Sequence, residues 1–357
     1  MILLSSIINT FQAEFLEKYQ QTILPSHLKA LGAMQTCRTI HSLKMQAKCT
    51  NTDCSHQVFI PHSCGHRNCP HCQHHESQQW LERQLKKQVP AEYFLLTFTL
   101  PKEFRSLAWR NQRELYSLMT HCSWETVKTF SQNDKQLQGK TGAITVLHTH
   151  SRRLDYHPHV HLIMPAAAIS DKKIWRKKTG YLFNHKALAA VFRAKILDGL
   201  QKAKLSIPTN YPKSWVVDVK SVGRGDKALI YLGRYLYKGV IQEKDIVACK
   251  NGEVTFRYKN SKTKKTEYRT MPGAKFLRLI LQHVLPKGFR RTRNFGFLHS
   301  NSKRLITLIQ YLFGFDPNRA LAWVRKRPDL ICSCCGSVME IVRTRIEPIF
   351  RFSISAQ

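Results

Sequence analysis

Hydrophobic positions along the chain follow two different periods, and each period predicts a different element. In several long segments apolar side chains recur every three to four residues, which is typical of amphipathic helices. The predicted helices cover residues 1–45, where Pro25 divides two helices, and residues 77–89, 103–130, 185–204, 227–238, 274–284, 303–313 and 318–324. Asp226 precedes one of them as a candidate N-cap.

Shorter runs that are rich in β-branched and aromatic residues predict strands. They cover residues 93–100 (YFLLTFTL), 143–150, 157–165 and 215–219, and a hairpin within residues 246–269. A polar segment at 151–156 separates two of these runs, which predicts an antiparallel hairpin. Strands that alternate with long helices, partly in hairpins, indicate an α+β fold in which helices pack on an antiparallel sheet.

The charge balance narrows the class of partner. The chain has 57 Lys and Arg residues against 23 Asp and Glu residues, a formal net charge of +34. Because cationic side chains release counterions when they bind phosphates, this excess predicts a nucleic-acid partner. The alternative is a solvated cationic surface, as in a ribosome-associated or membrane-surface protein. No stretch has the length of a membrane span, and residues 1–10 lack the features of a signal peptide. We therefore expect a cytoplasmic, nucleoid-associated protein with no membrane partner.

The predicted hairpin carries a cluster of histidines. His159 and His161 are two residues apart on one strand, so their side chains face the same side of the sheet. Neutral imidazoles are metal ligands, and His148 on the partner strand is the favoured third ligand. His150 and His157 are expected to flank the site. A divalent ion held by three protein ligands keeps positions for water and a phosphate oxygen. The alternative is a His-rich strand edge that binds no metal.

Residues 231–235 (YLGRY) place two tyrosines on one face of a predicted helix. Tyrosines at this spacing usually serve packing. Here Arg234 and Lys238 lie on the same helix, and both are expected to bind the phosphate backbone. A phenol is a poor nucleophile at neutral pH, and a divalent ion that stabilises charge on a phosphate would assist it. Tyr231 and Tyr235 are therefore candidate nucleophiles that form a covalent phosphotyrosine.

A basic segment with interleaved aromatic residues spans 287–297 (KGFRRTRNFGF). Basic side chains are expected to bind DNA phosphates, and aromatic rings can stack on unpaired bases. The expected phosphate-binding residues are Arg290, Arg291 and Arg293, and the expected stacking residues are Phe289, Phe295 and Phe297.

Eleven cysteines stand mostly in short-spaced pairs beside histidines, which favours metal binding over disulfides. The Cys-Pro-His-Cys knuckle at 69–72 is typical of a structural zinc site. The simplest ligand set is Cys49, Cys54, Cys69 and Cys72, and Cys64 or His66 are alternatives for one of the four.

Three further cysteines lie in less specific sequence patterns. Cys37 stands alone and is expected to be a small buried apolar residue. Cys332 and Cys335 form either a second zinc knuckle, for which no second pair is visible nearby, or free thiols.

Taken together, these motifs resemble the two-tyrosine HUH-endonuclease transposases of the insertion-sequence ninety-one family. The resemblance runs through most of the chain. Its motifs are a zinc-binding segment at 63–73, a first rolling-circle motif at 93–101, a metal motif at 148–161, a paired-tyrosine motif at 231–235 and a basic segment at 287–297.

The resemblance implies a ferredoxin-like HUH catalytic domain at residues 91–300, after a zinc-binding module at 1–90 and before a C-terminal segment at 301–357. It implies Mg²⁺ or Mn²⁺ as the catalytic ion and Zn²⁺ as a structural ion. It also implies rolling-circle transposition, in which Tyr231 and Tyr235 nick single-stranded DNA at the element ends, leave a 5′-phosphotyrosine and a free 3′-OH, and rejoin the strand to target DNA. Self-association is a further expectation.

Two other functions are consistent with the same residues. A replication initiator or plasmid relaxase shares the chemistry. A non-catalytic zinc-ribbon regulator that binds DNA is the alternative from another class, although it needs neither the paired histidines nor the paired tyrosines.

Overall fold

The computed structural model describes residues 2–72, 74–180, 182–237, 240–260, 263–323 and 329–348 of the 357-residue chain. The helices in these ranges are α1 Leu4–Tyr19, α2 Pro25–Thr36, α3 His74–Leu85, α4 Arg105–Arg110, α5 Gln112–Asn133, α6 His185–Lys202, α7 Asp226–Tyr237, α8 Gly273–Leu281 and α9 Lys303–Leu312. Each helix in the described ranges is too short or too polar to span a lipid bilayer.

The strands in the described ranges belong to four sheets. They are β1 Lys44–Cys49, β2 Gln57–Pro61, β3 Tyr93–Thr99, β4 Gly142–His150, β5 Tyr156–Pro165, β6 Ala167–Ile169, β7 Trp175–Lys177, β8 Val216–Ser221, β9 Ile246–Lys250, β10 Glu253–Lys259, β11 Thr266–Pro272, β12 Thr292–Gly296 and β13 Met339–Ile346.

The largest sheet has five strands in the order β12-β4-β5-β3-β8, and all neighbours in it are antiparallel. Along the chain, its main elements follow as β3, α5, β4, β5, α6 and β8. This βαββαβ order, with the first strand between the third and the fourth, is the ferredoxin-like arrangement. Strand β12 adds a fifth strand beside β4. The predicted α+β fold with an antiparallel sheet is confirmed.

The two faces of this sheet bury different helices. One face packs against α5 and α6 through a core that includes Phe98, Val160 and Leu162. The other face packs against α3 and α7 through a core that includes Ile144 and Val146. Because side chains alternate along a strand, each central strand contributes to both cores. The continuous apolar runs in β4 and β5 are therefore the signature of a strand covered on both faces.

The chain ends form two further assemblies. Helices α1 and α2 pack with α8 and with the three-stranded sheet β11-β10-β9 around a second apolar core. Strand β1 pairs with β2 on one side and with β13 on the other, so the first and last described strands share one sheet. Segments on either side of the predicted domain boundaries at residues 90 and 300 therefore pack against each other.

Helix α7 is held tightly at its start and middle. Gly225, just before it, has φ of +84°, and a Cβ at this position would lie 2.7 Å from the Tyr93 ring. The side-chain amide of Gln88 donates a hydrogen bond of 2.6 Å to Asp226 at the first turn. The Ser77 hydroxyl of α3 donates a hydrogen bond of 2.7 Å to the Gly233 carbonyl. These contacts fix where α7 lies on the sheet.

Replacing Leu162 with alanine tests the core beneath the central strand. Leu162 is fully buried, so we expect the free energy of unfolding to fall by about 2–5 kcal/mol. Val216→Ala on the edge strand β8 is the control, because that side chain is 65% exposed and its loss should cost no more than about 0.5 kcal/mol. Denaturant unfolding measures both, and equal losses would contradict the assigned core.

Candidate active site

The β4–β5 hairpin brings three histidines together. His148 lies directly opposite His159 across the antiparallel pair, and His161 is two residues further along the same face. The ring centroids of His148 and His161 are 4.2 Å apart, and those of His148 and His159 are 5.1 Å apart. The candidate ligand atoms of all three residues lie within 4.8 Å of one another. The structure thus places the three predicted metal ligands in one cluster.

Burial keeps these imidazoles neutral. It lowers the pKa of His161 to about 4, and burial together with the charge of His161 lowers the pKa of His159 to about 3. Burial and the neighbouring histidines lower the pKa of His148 well below its usual value. Neutral imidazoles expose a nitrogen lone pair, so the cluster is in its metal-binding form at neutral pH.

Two of the rings, His159 and His161, have nitrogen atoms suited to a cation. The Nδ1 of His159 lies 2.7 Å from the carbonyl oxygen of His157, which accepts its proton and leaves the Nε2 lone pair for a ligand. The Nδ1 of His161 is buried and has no hydrogen-bond partner among the described residues. A buried nitrogen in this state is unfavourable unless an ion or another donor reaches it. The residues present therefore fit a divalent cation.

The two remaining histidines of the hairpin flank the cluster, as the sequence predicts. A β-bulge separates His148 from His150, and His150 then lies opposite Tyr156, which packs on the α5–α6 side. The bulge therefore turns His150 away from the other imidazoles. His157 shares a hydrogen bond of 2.7 Å with the guanidinium of Arg105.

Two residues just after helix α8, which the sequence reading missed, secure the turn of this hairpin. The His283 ring lies 5.0 Å from the His150 ring, and its Nε2 donates to the carbonyl oxygen of Leu154 at 3.1 Å. The Gln282 side chain donates to the same oxygen at 2.9 Å. Burial lowers the pKa of His283 to about 3, so the ring is neutral. A lone histidine near the end of the helix predicted at 274–284 carries no motif that could have identified it.

Helix α7 lies over the sheet face that carries the three histidines. Its residues Leu229 and Leu232 are buried in the same core as Val146, and Val146 lies directly opposite His161. Tyr231 is 46% exposed on this helix, so its hydroxyl is accessible to a large substrate. Arg234 and Tyr235 occupy the next turn of α7, but their side chains lie outside the described part of the structure. Lys238 lies outside the described residues altogether.

The basic segment 287–297 is arranged differently from the prediction. Phe289 is 3% exposed and Phe297 is 4% exposed, and the Phe295 ring stacks on Trp124 with a centroid distance of 5.1 Å. The expectation that these rings stack on bases is wrong, because they fill the cores on the two sides of β12. Basic and aromatic residues alternate in this segment because part of it forms strand β12, in which successive side chains face opposite sides.

The three arginines of this segment occupy different environments. Arg290 is exposed. Arg293 is partly buried with its guanidinium over the Phe289 ring, and burial lowers its pKa. The charge of Arg291 contributes to lowering the pKa values of His148, His150 and His283. Arg291 is therefore the predicted arginine that lies beside the histidine cluster.

A basic groove opens next to the hairpin turn. Its lining includes His150 and the exposed side chains of Arg152, Arg257 and Lys259. It runs between the β4–β5 turn and the sheet formed by β9, β10 and β11. The sequence reading did not identify this groove, because its two walls are about 100 residues apart along the chain.

The cysteines form two separate groups, and this corrects the predicted zinc set. Cys69 and Cys72 lie with Cys37 and Cys64, and Cys49 and Cys54 lie with Cys332 and Cys335. Within each group the candidate ligand atoms lie within 4.8 Å of one another. The proposed set of Cys49, Cys54, Cys69 and Cys72 is therefore not brought together.

Cys37 also differs from its prediction as an isolated apolar residue. Its sulfur lies 3.5 Å from those of Cys69 and Cys72, and the Cys64 sulfur lies 3.6 Å from that of Cys72. Four cysteines in such proximity are the donor set of a structural zinc site. A count of ligands could have identified Cys37. The knuckle Cys69–Cys72 with Cys64 gives three sulfurs, and a tetrahedral zinc site needs a fourth.

Fold and site together define an α+β protein of ferredoxin-like topology with a partly buried three-histidine cluster and a cysteine-rich N-terminal module. Two family models match this chain: one described as "Putative transposase" over residues 142–305, and one described as "Transposase zinc-binding domain" of IS91 elements over residues 7–100.

Relatives agree with the family models. A "Putative transposase y4qJ" of Sinorhizobium fredii (strain NBRC 101917 / NGR234) is 30% identical over 295 residues, which is 76% of this chain and 74% of the relative. The transposase of insertion sequence element IS801 from Pseudomonas savastanoi pv. phaseolicola is 28% identical over 272 residues, 70% of this chain and 65% of the relative. The chain belongs to the IS91 family of transposases with an N-terminal zinc-binding domain. The prediction of a rolling-circle transposase is therefore confirmed at the level of the family.

Solved structures give a weaker likeness. The conjugative relaxase TrwC in complex with oriT DNA is 14% identical in its metal-free structure, which covers 62% of this chain and 72% of the relaxase chain with a TM-score of 0.27. Its metal-bound structure is 15% identical, covers 63% and 73%, and has the same TM-score. At this similarity, the DNA and the metal remain properties of the relaxase.

The buried His283 generates a prediction about pH. Its folded pKa of about 3 lies below the usual value of 6.5, so between these values the unfolded chain binds the additional proton. Stability therefore falls as the pH falls through this window. For one such group, we expect a loss of about 2 kcal/mol between pH 7 and pH 5.

His283→Gln should remove that contribution from the pH dependence, as measured by denaturant unfolding at the two pH values. His121→Gln is the control, because His121 is exposed on α5. The same slope in wild type and His283→Gln would show that the ring does not titrate as its burial requires.

Proposed function

We propose that this transposase cuts single-stranded DNA at the ends of its element and that the Tyr231 hydroxyl is the first nucleophile. One observation carries the proposal: the helix that bears Tyr231 packs on the same sheet face as His148, His159 and His161. A nucleophile and a candidate cation site that share one face can act on one phosphate. An exposed tyrosine that served packing alone would not require this arrangement.

The chemical step is a transfer of the phosphodiester from a deoxyribose to a tyrosine. The phenolic oxygen attacks phosphorus, the bond from phosphorus to the 3′ oxygen breaks, and the 5′ phosphate remains on the tyrosine. The leaving 3′ oxygen takes up a proton, and the phenolic proton passes to solvent. Because one phosphodiester replaces another, the bond energy is conserved for rejoining.

The three imidazoles would hold the divalent ion that this reaction needs. When bound there, the ion supplies positive charge against the non-bridging oxygens of the scissile phosphate. The candidate ligand group contains three nitrogens and no carboxylate among the described residues. Mg²⁺ prefers oxygen ligands, whereas later divalent metals bind imidazole more strongly. We therefore favour Mn²⁺ over Mg²⁺ for this site.

Tyr235 would perform the second attack. It is one turn further along α7, and residues four apart on a helix share a face. In the rejoining step the 3′-OH of the target strand attacks the phosphotyrosine, the bond from phosphorus to the tyrosine oxygen breaks, and the tyrosine recovers its proton. Two tyrosines allow the cleaved strand to stay attached while a second strand is cut.

The DNA strand would approach the site across cationic surface. Arg291 lies beside the histidine cluster, and Arg152, Arg257 and Lys259 line the adjoining groove. Arg152, Lys259 and Arg291 can each neutralise a backbone phosphate, which gives affinity without sequence specificity, whereas Arg257 is paired with Asp245 at 3.1 Å in the same groove. The net charge of +34 would attract the DNA strand to this cationic surface.

Cys37, Cys64, Cys69 and Cys72 would hold a structural zinc ion next to the N-terminal helices. Three of these residues are buried in the core that α1, α2 and α8 share. Zinc there would contribute folding free energy to this part of the chain rather than chemistry at the phosphate.

Removing both hydroxyls tests the nucleophile. In the double variant Tyr231→Phe with Tyr235→Phe, we expect covalent attachment to a labelled single-stranded oligonucleotide to fall on the order of 10⁴-fold or more. DNA affinity should remain close to that of the wild type, because the cationic side chains are unchanged. Denaturing gel electrophoresis measures the adduct, and mass spectrometry of the adducted peptide identifies the tyrosine.

The matched control is Tyr268→Phe, which removes a hydroxyl from a side chain that is 64% exposed on β11. It should form the adduct as the wild type does. If the double variant attaches to DNA as the wild type does, the nucleophile lies elsewhere.

A separate measurement tests the cation site. We expect His161→Ala to weaken Mn²⁺ binding by at least about tenfold, because it removes one of three ligands. Calorimetric titration of the zinc-loaded protein gives the affinity. His157→Ala is the control, since that ring lies on the same strand but outside the ligand cluster. Equal affinities of the two variants would show that Mn²⁺ does not bind at the three histidines.

A further inference from the structure

We propose that Cys49, Cys54, Cys332 and Cys335 form a second zinc site, separate from the first, which fastens the C-terminal segment to the N-terminal module. Its two halves are about 280 residues apart in the sequence. The family match to a zinc-binding domain ends at residue 100 and includes only the first half. The proposal therefore makes the C-terminal segment part of the metal-binding module.

The sulfur positions fit a tetrahedral ion. The Cys49 and Cys335 sulfurs are 3.4 Å apart, and the Cys54 and Cys332 sulfurs are 3.8 Å apart. A zinc ion with bonds of about 2.3 Å to four sulfurs requires distances of about 3.8 Å between them. These separations are far longer than a disulfide bond of about 2.05 Å. All four cysteines are free thiols in the structure.

A backbone amide supports the Cys49 sulfur. The Asn51 amide, two residues further along the chain, donates to it at 3.4 Å. The Cys49 side chain is therefore held in place on the side of the Cys335 sulfur.

A sheet already joins the two halves. Strand β13 pairs with β1, and this pairing places Cys49 opposite Met339. The Thr50 amide donates to the Val338 carbonyl at 3.0 Å, which extends the ladder beyond the strand. Ile331 and Val338 form a bridge around the turn that carries Cys332 and Cys335. The four sulfurs thus stand at one end of a three-stranded ribbon.

This ribbon has too little apolar core to be stable alone. Its fully buried hydrophobic residues are Ala47, Cys332 and Met339. Small modules of this kind depend on a metal or a disulfide in place of a core. Because the distances exclude disulfides, a metal ion is the remaining means of support. Four thiolates without a cation would also repel one another.

A competing ligand set shares one residue with this site. His56, Cys332 and Cys334 also bring their ligand atoms within 4.8 Å of one another. That set has three members, one of them an imidazole. The four-sulfur set is favoured because it supplies complete tetrahedral coordination.

Zinc content of the full-length protein tests the proposal. We expect the double variant Cys332→Ser with Cys335→Ser to lose one zinc per chain relative to the wild type, measured by plasma mass spectrometry. Cys69→Ser with Cys72→Ser should lose a different one, and all four substitutions together should lose two. After replacement of zinc by Co²⁺, each double variant should lose about half of the sulfur-to-cobalt charge-transfer absorption.

Hydrogen exchange gives a second readout that does not depend on counting metal. In the Cys332/Cys335 variant, amides of β1 and β13 should exchange faster, while those of β3, β4 and β5 keep their protection. Cys335→His tests rescue, because a Cys₃His set also binds zinc. It should retain the zinc and the protection that Cys335→Ala loses.

Cys334→Ser is the matched control, since it changes an exposed thiol in the same turn. It should keep the wild-type zinc content. The proposal is overturned if the Cys332/Cys335 variant keeps all its zinc, or if Cys334→Ser loses the same equivalent while Cys335→Ser does not. These outcomes are independent of DNA cleavage, so they leave the nucleophile assignment to its own test.

Discussion

The register between β4 and β5 is the constraint on which the candidate active site depends. Because side chains alternate along a strand, a slip of one residue would move His159 and His161 into the α5–α6 core. Val160 and Leu162, both fully buried, would then face the α7 side. Two sets of contacts prevent this: the apolar side chains fill their core, and Leu154 at the hairpin turn is buried in the core that contains α8. The turn thereby links the site to a second part of the molecule.

The same sheet face changes character along its length. Near the middle it is apolar, with Ile144, Val146 and Ile163 packed beneath α3 and α7. Towards the turn, imidazoles replace these side chains at positions 148, 159 and 161. A helix that covers the apolar part is therefore positioned by hydrophobic packing, yet it lies next to the polar part. This division explains how the fold can bury one side of α7 in an apolar core and still leave Tyr231 exposed on the same helix.

Much of this arrangement could be predicted from local patterns. The hairpin, the facing of the three histidines and helix α7 all follow from periods of two and 3.6 residues, and α7 was expected at 227–238 against Asp226–Tyr237 in the structure. Strand β12 was missed because its basic residues obscured an edge strand, in which Phe295 packs against one core while Phe297, just beyond the strand, is buried in the other. The cysteine pairing was also misassigned. Proximity along the chain favoured Cys49 with Cys69, whereas sheet pairing between β1 and β13 decides the actual neighbours, and no local pattern reports such a pairing.

The two kinds of module in this chain gain their stability from different sources. The ferredoxin-like sheet has apolar cores on both faces, and none of its five strands comes from the ribbon that carries the second cysteine group. The ribbon has almost no core of its own. Hydrophobic burial therefore stabilises the five-stranded sheet and the N-terminal helices, whereas the β1–β2–β13 ribbon has little apolar core to hold it. Loss of a metal ion from the proposed second site would therefore loosen the pairing of β1 with β13 before it changed the histidine site.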